Sequence, residues 1–183
     1  MKFPVGVQDF EALKRDNFAY VDKTALVYQL VNSGNCYFLS RPRRFGKSLL
    51  LTTIKAYLEG KKDLFKGFAI ESLEKDWTSY PILHIDLNTG LYNEPEGLNA
   101  VLKNKLAEWE ELYGTGKDEE TPALRFKGVI QRAYKKTGLP IVILVDEYDK
   151  PLLYTLDNPE LQDLYRMQLK SFYSVLKTMD GCI

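Results

Sequence analysis

The stretch Arg41-Pro42-Arg43-Arg44-Phe45-Gly46-Lys47-Ser48 decides how this sequence folds. An apolar, β-rich run, residues 35–40, precedes it, and apolar positions at helical spacing follow it over residues 47–59. The sequence therefore predicts a strand, a tight loop and a helix that begins at the Gly-Lys-Ser end. The first N–H groups of such a helix are unpaired and lie at the positive end of its dipole, so an anion can bind there.

The same stretch follows most of the P-loop pattern G-x-x-x-x-G-K-[ST], except that Arg41 replaces the first glycine. In a P-loop, backbone N–H groups surround the phosphates, the lysine reaches the outer phosphates and the hydroxyl binds Mg²⁺. We expect the nucleotide-binding residues to be Arg41, Arg43, Arg44, Phe45, Gly46, Lys47, Ser48 and Leu49, with Ser48 also on the metal. The alternative is a basic turn whose lysine is only solvated.

The charge of this loop supports anion binding. Its cations repel one another without a bound anion, and they are Arg41, Arg43, Arg44 and Lys47. A triphosphate would neutralise them, and arginine forks bind phosphate through two hydrogen bonds at once. In the alternative, Arg43 or Arg44 has only a structural role. Its partner would then be Glu147 or Asp149.

A second motif lies at residues 141–147, where an apolar run ends in two acids. This is the Walker B arrangement, in which Asp146 would hold the Mg²⁺ shell and Glu147 would polarise the attacking water as general base. In the alternative, Asp146 only caps the turn that follows the strand. The two motifs occur in the order expected of a nucleotide-hydrolysing domain.

Other polar residues could belong to the same site. Asp86 ends the apolar run 81–87, and Asp149 could pair with Lys150 or with an arginine of the loop. His84 is the only histidine and is expected to be a hydrogen-bonded core residue. The chain therefore offers no Ser-His-Asp or Cys-His pairing.

The order of the predicted elements indicates an α/β fold. Strands are expected at residues 35–40, 81–87 and 140–145, and helices at 25–31, 47–59, 95–113, 123–137 and 160–179. Asp22 or Thr24 would cap the first helix, and Gly34 would end it. Strands that alternate with helices predict a mainly parallel sheet between helical layers, the three-layer αβα arrangement of P-loop proteins.

The composition predicts a soluble, intracellular protein. The chain has 183 residues, 45% of them apolar, and its 25 basic residues balance its 25 acidic ones. This balance disfavours general nucleic-acid binding. Cys36, on a strand expected to be buried, and Cys182 suggest neither a disulfide framework nor a zinc site. Residues 1–6 lack the apolar core of a signal peptide, and no run is long enough for a membrane helix. We expect a cytoplasmic location.

Two longer motifs resemble one family. Residues 40–48 and 145–151 look like the AAA-ATPase-like family of bacterial proteins, and residues 4–10 and 20–24 match its other signatures. The resemblance implies one domain over residues 1–183, with residues 1–34 as an extension packed on the core. It also implies ATP and Mg²⁺ as cofactors, an arginine at the first P-loop position, and, in many members, a C-terminal PD-(D/E)XK nuclease-like domain.

The same resemblance predicts that the fold is incomplete at the C-terminus. A further strand with a polar sensor residue is expected between the P-loop strand and the Walker B strand. Residues 36–40 and 141–145 should therefore not pair tightly unless the sheet rearranges to close the gap. We expect ATP binding, with Mg²⁺-dependent hydrolysis in the intact protein. The alternative is a nucleotide-dependent switch or interaction module with little turnover. ATP and ADP are the expected ligands, a protein partner or self-association is left open, and nucleic acid would be reached only through a nuclease-like domain.

Overall fold

The computed structural model describes residues 2–42 and 44–183 and shows a mixed α/β protein with a small parallel sheet. The chain divides into two compact units, Met1–Tyr80 and Pro81–Ile183. Within the described residues, no helix is both long enough and apolar enough to cross a membrane.

The first unit is helical and is built around aromatic side chains. Its helices are α1 (Phe10–Arg15), α2 (Thr24–Ser33), α3 (Lys47–Leu58), a 3₁₀ helix (Lys62–Phe65) and α4 (Ala69–Leu73). Phe10 and Phe65 are fully buried, with ring centroids 5.0 Å apart. Trp77 packs against Phe65 at 5.5 Å and edge-on against Tyr57 at 5.8 Å. These rings contribute much of the unit's apolar burial.

The start of α2 is tied to the start of α4. One oxygen of Asp22 accepts hydrogen bonds from the Thr24 N–H and hydroxyl, and the other accepts one from the Ala69 N–H at 2.8 Å. The Thr24 hydroxyl accepts from the Ile70 N–H. Burial alone would raise the pKa of Asp22, but these hydrogen bonds lower it overall. The residue at the N-cap of α2 is Lys23, so Asp22 acts one position earlier than a standard cap.

The strand predicted at residues 35–40 is wrong. These residues form no strand and are exposed, including Cys36 and Phe38, and Phe38 is 70% exposed. A β-prone run forms a strand only when a neighbouring strand satisfies its backbone N–H and C=O groups. The Tyr37 hydroxyl instead donates to the Leu30 carbonyl near the end of α2, at 2.5 Å. Gly34 follows α2, as predicted.

The second unit contains the sheet. Its elements are β1 (Ile82–Asp86), a 3₁₀ helix (Leu87–Thr89), α5 (Gly97–Tyr113), α6 (Pro122–Thr137), β2 (Val142–Asp146), α7 (Lys150–Leu153) and α8 (Pro159–Thr178). The strands β1 and β2 pair in parallel, with Ile82 opposite Val142 and Asp86 opposite Asp146. The predicted parallel pairing and the predicted long helices of this unit are confirmed, with boundaries shifted by a few residues.

Helices α5, α6 and α8 and the sheet share one apolar core. Leu83 and Ile85 of β1 are fully buried in it, because alternate residues of a strand face the same side. Phe126 of α6 stacks on Phe172 of α8, with ring centroids 4.4 Å apart and nearly parallel planes. This core places the carboxyl ends of β1 and β2 side by side.

Candidate functional site

The basic loop (residues 41–48) leads directly into α3. Gly46 occupies the N-cap position with φ 72°, a left-handed conformation that glycine adopts without strain, and no side chain caps the helix. The Lys47 ammonium donates a hydrogen bond to the Arg41 carbonyl at 3.0 Å. Arg44 is also left-handed, at φ 67°. The lysine is thus bonded to the backbone of Arg41, at a helix start whose N-cap glycine supplies no side-chain cap.

Most of the expected phosphate-binding side chains are accessible. Arg41 and Arg44 are exposed, Phe45 is 65% exposed, and Lys47 and Ser48 are half-buried, as is Leu49. Within the described residues, neither Arg41 nor Arg44 forms an ion pair with a carboxylate. The ion pair with Glu147 or Asp149 that was considered for Arg44 is therefore not formed. The same alternative for Arg43 falls on a residue outside the described ones.

The helix behind the loop is held by the N-terminal segment. The Thr52 hydroxyl of α3 accepts a hydrogen bond from the Phe10 N–H at 3.1 Å and donates one to the Gln8 carbonyl at 3.0 Å. Asp9 caps α1 by accepting from the Ala12 N–H. The sequence signature at residues 4–10 thus has a structural role, which is to fix α1 against α3.

The acidic edge (Asp86, Asp146, Glu147 and Asp149) lies where β1 and β2 end. Asp86 and Asp146 are register neighbours, as the parallel strands require. One oxygen of Asp86 accepts from the Asn88 N–H at 2.8 Å, and one oxygen of Asp146 accepts from the Glu147 N–H at 3.0 Å. Asp146 thus bonds to the first N–H of the turn that follows β2. A carboxylate has a second oxygen, so this bond is compatible with metal binding as well.

Glu147 has an unusual backbone conformation. Its φ is 53°, in the left-handed region that residues with a side chain rarely occupy. Such a conformation costs on the order of 1–3 kcal/mol and persists only where the surrounding structure fixes it. The Lys150 N–H donates to the Glu147 carbonyl at 3.0 Å and closes the turn. Strain of this kind is concentrated at functional sites.

Sequence reasoning missed the partner of Lys150. Its ammonium donates to the Asn88 carbonyl at 2.8 Å and also to the Asn88 side-chain oxygen, whereas the sequence leaves a pairing with Asp149 as one alternative. The signal available in the sequence was weak. Asn88 and Lys150 are polar residues that each follow a predicted strand, and the ends of adjacent parallel strands meet at one edge.

Two further polar side chains, His84 and Tyr92, lie on or near β1. His84 lies in the middle of β1 and is half-buried. Near the end of β1, the Tyr92 hydroxyl donates to the Leu87 carbonyl at 2.6 Å. Burial raises the pKa of Tyr92 to about 12, with Tyr165 and Asp86 adding to the shift, so its phenol stays neutral. Within residues 2–42 and 44–183, no group of three or more His, Cys, Asp or Glu side chains is arranged to hold a metal.

A family comparison covers almost the whole chain. The protein belongs to the family described as "Predicted AAA-ATPase", whose model matches residues 4–183. It is also 38% identical over 182 residues to an "Uncharacterized protein in vnfD 5'region" of Azotobacter chroococcum mcd 1. That match includes 98% of this chain and 35% of the relative, so the chain spans about a third of the relative's length. No solved structure matches the chain.

The family membership confirms the resemblance drawn from the sequence motifs. It supports nucleotide binding at the level of the family description, whereas the C-terminal nuclease-like domain is not shown by these matches. The basic loop belongs to the first compact unit, and the acidic edge belongs to the second.

Proposed function

We propose that this chain binds ATP through its basic loop and contributes to Mg²⁺-dependent ATP hydrolysis in the intact protein. The observation that carries the proposal is the start of α3, which has no side-chain cap and directly follows a glycine in the left-handed conformation and a run of cations. Uncapped N–H groups at a helix start bind anions. The family description supports the same ligand class.

Several groups of the loop would bind the phosphates together. The backbone N–H groups of Gly46 to Leu49 would face the phosphates, and Lys47 would exchange the Arg41 carbonyl for a phosphate oxygen. The guanidinium groups of Arg41, Arg43 and Arg44 would add charge-assisted hydrogen bonds, each contributing roughly 1.5–3 kcal/mol. They would thereby replace the backbone contacts that the first P-loop glycine normally permits.

Ser48 and Asp146 are the residues proposed to hold Mg²⁺. A hydroxyl and a carboxylate are the oxygen ligands that this ion prefers, and Asp146 uses only one of its oxygens in the described bond to Glu147. When bound, the ion would neutralise charge on the phosphates. Glu147 would orient and deprotonate the attacking water. The proposal includes the three-layer αβα arrangement of P-loop proteins.

A second candidate function is a nucleotide-dependent switch with little turnover. The bond between Lys47 and the Arg41 carbonyl favours it, because a phosphate bound to the same ammonium would compete with the contact that holds the lysine to the loop backbone. The loop would then have two states with different internal contacts. ADP and ATP could be distinguished in this way, and the change could be passed to a protein partner or to a second copy of the chain.

Calorimetric titration of ATP, combined with turnover in the same sample, tests both candidates. Wild-type protein should bind ATP more tightly with Mg²⁺ than without it. Lys47→Ala should remove most of this affinity, because the lysine charge and its hydrogen bonds are lost. Lys55→Ala is the matched control, since Lys55 lies on the same helix and pairs with Glu59.

The outcomes distinguish the two proposed functions. Binding with turnover supports the enzyme, and binding without turnover supports the switch. Equal ATP affinity in wild type and Lys47→Ala would refute the proposed phosphate site. Nucleic-acid binding through the arginines would instead appear as affinity for oligonucleotides that falls steeply with salt concentration.

A further inference from the structure

Lys150 connects the segments that follow the two strands. It is the first residue of α7, and its ammonium donates to the carbonyl of Asn88 at 2.8 Å and to the side-chain oxygen of the same residue. Asn88 lies in the 3₁₀ helix directly after β1. Two bonds from one ammonium to one residue fix the distance between these segments better than a single bond does.

The same lysine closes the turn that contains Glu147. Its backbone N–H donates to the Glu147 carbonyl at 3.0 Å, while the Glu147 N–H donates to Asp146 at 3.0 Å. Both backbone groups of Glu147 are therefore satisfied within the segment that Lys150 holds. This explains how a residue with a side chain keeps a φ of 53° at this position.

The charge of Lys150 is not used in an ion pair. Among the described residues, its ammonium has no carboxylate within salt-bridge distance, although Glu147 and Asp149 are close in sequence. Its described hydrogen-bond acceptors are neutral, and its ammonium lies 5.4 Å from the centroid of the Tyr154 ring. The arrangement anchors the turn without using up a carboxylate of the acidic edge.

We propose that Lys150 is a positioning residue that holds Glu147 in the orientation needed to act on water. This inference rests on the proposed function, because Glu147 has a catalytic role only if ATP is hydrolysed. Lys150 acts through Glu147 and Asn88 and does not touch the nucleotide. Loss of the clamp, meaning the bonds from the Lys150 ammonium to Asn88, should therefore lower turnover and leave nucleotide affinity largely unchanged.

The test uses Lys150→Met, which keeps a long side chain near Tyr154 but removes the donors, and Lys150→Arg, which keeps donors. In Lys150→Met, kcat should fall at least tenfold while KM for Mg-ATP changes less than threefold, and Lys150→Arg should recover part of the loss. In a Glu147→Gln background, Lys150→Met should have little further effect, because the two residues act as one unit. Lys103→Met, an exposed position on α5, is the control.

A second readout does not depend on ATP. Amide hydrogen exchange at Glu147 and Lys150 should be faster in Lys150→Met and also in Asn88→Ala, which removes one acceptor and is available if the first variant does not fold. If wild type lacks turnover, the proposed hydrolysis fails while exchange still decides whether the clamp exists. Unchanged exchange, or an equal loss of kcat with and without Glu147, would overturn the proposal.

Discussion

Glu147 combines a strained backbone with the position expected of a general base. Its left-handed φ is maintained by bonds to Asp146 and Lys150, so its backbone is held by the turn and not by a regular strand or helix. A residue in such a position can be replaced by a side chain of equal shape with little effect on the turn. The charge of Glu147 can therefore be tested separately from its geometry.

Replacing Glu147 by glutamine should lower turnover and spare ATP binding. General bases contribute about 10²–10⁴-fold to rate, so we expect a loss of at least about 100-fold in kcat. The ATP dissociation constant, measured by calorimetry, should change by less than about threefold, since the amide keeps the shape of the side chain. Glu111→Gln, at an exposed position on α5, is the control. Lost binding with unchanged turnover would assign Glu147 to the nucleotide site instead.

Helices α5 and α6 are joined by a well-shielded ion pair. Arg125 donates two hydrogen bonds to Glu110, at 2.8 and 2.6 Å, and the side chains are 21% and 10% exposed. The hydrogen bonds from Arg125 lower the pKa of Glu110, and burial opposes this shift only in part. The carboxylate is thus more stable in the folded protein than in the unfolded chain.

Glu110→Gln should destabilise the second unit at neutral pH. Hydrogen bonds to charged groups contribute roughly 1.5–3 kcal/mol, so we expect a loss in that range in the free energy of unfolding from urea titrations. The folded pKa of Glu110 is lowered, so its contribution is full above the unfolded pKa and disappears as pH falls through the folded pKa. The difference between wild type and variant should therefore shrink in acid.

The control for this prediction lies on the same helix. Glu108 pairs with Lys105 on the surface of α5, and its side chain is 59% exposed. Glu108→Gln should change stability by less than about 0.5 kcal/mol, because exposed ion pairs contribute little. An equal loss in the free energy of unfolding from both substitutions would mean that the buried Glu110–Arg125 pair contributes no more than an exposed ion pair.

Element by element, the sequence was most informative where local signals agreed. Helix α6 has a Thr121 cap, a proline at its start, regular apolar spacing and Gly138 at its end, and it forms almost where predicted. Residues 35–40 are rich in β-prone residues but form no strand, because a strand depends on a partner strand elsewhere in the chain. The link between Asn88 and Lys150 joins residues 62 positions apart and leaves no local pattern.

At the scale of the whole molecule, the two sequence motifs belong to different compact units. The basic loop is in Met1–Tyr80 and the acidic edge is in Pro81–Ile183. Each unit contains one of the two tryptophans, Trp77 in the first and Trp109 in the second. Trp109 is buried against Phe126 at 5.8 Å, and Trp77 packs against Phe65. Each unit thus carries its own fluorescent probe of unfolding.

If both motifs contact one nucleotide, Mg-ATP should stabilise both units. A ligand at 100 times its dissociation constant adds about 2.7 kcal/mol to the stability of the state that binds it. The variant Trp109→Phe keeps only Trp77, so its tryptophan fluorescence follows the unfolding of the first unit. The variant Trp77→Phe keeps only Trp109 and follows the second unit. We expect Mg-ATP to raise the thermal unfolding midpoint of both variants. Adding Lys47→Ala should abolish both shifts. A shift confined to the Trp77 signal would show that the nucleotide binds the basic loop alone, and the acids at the end of β2 would then have no part in its site.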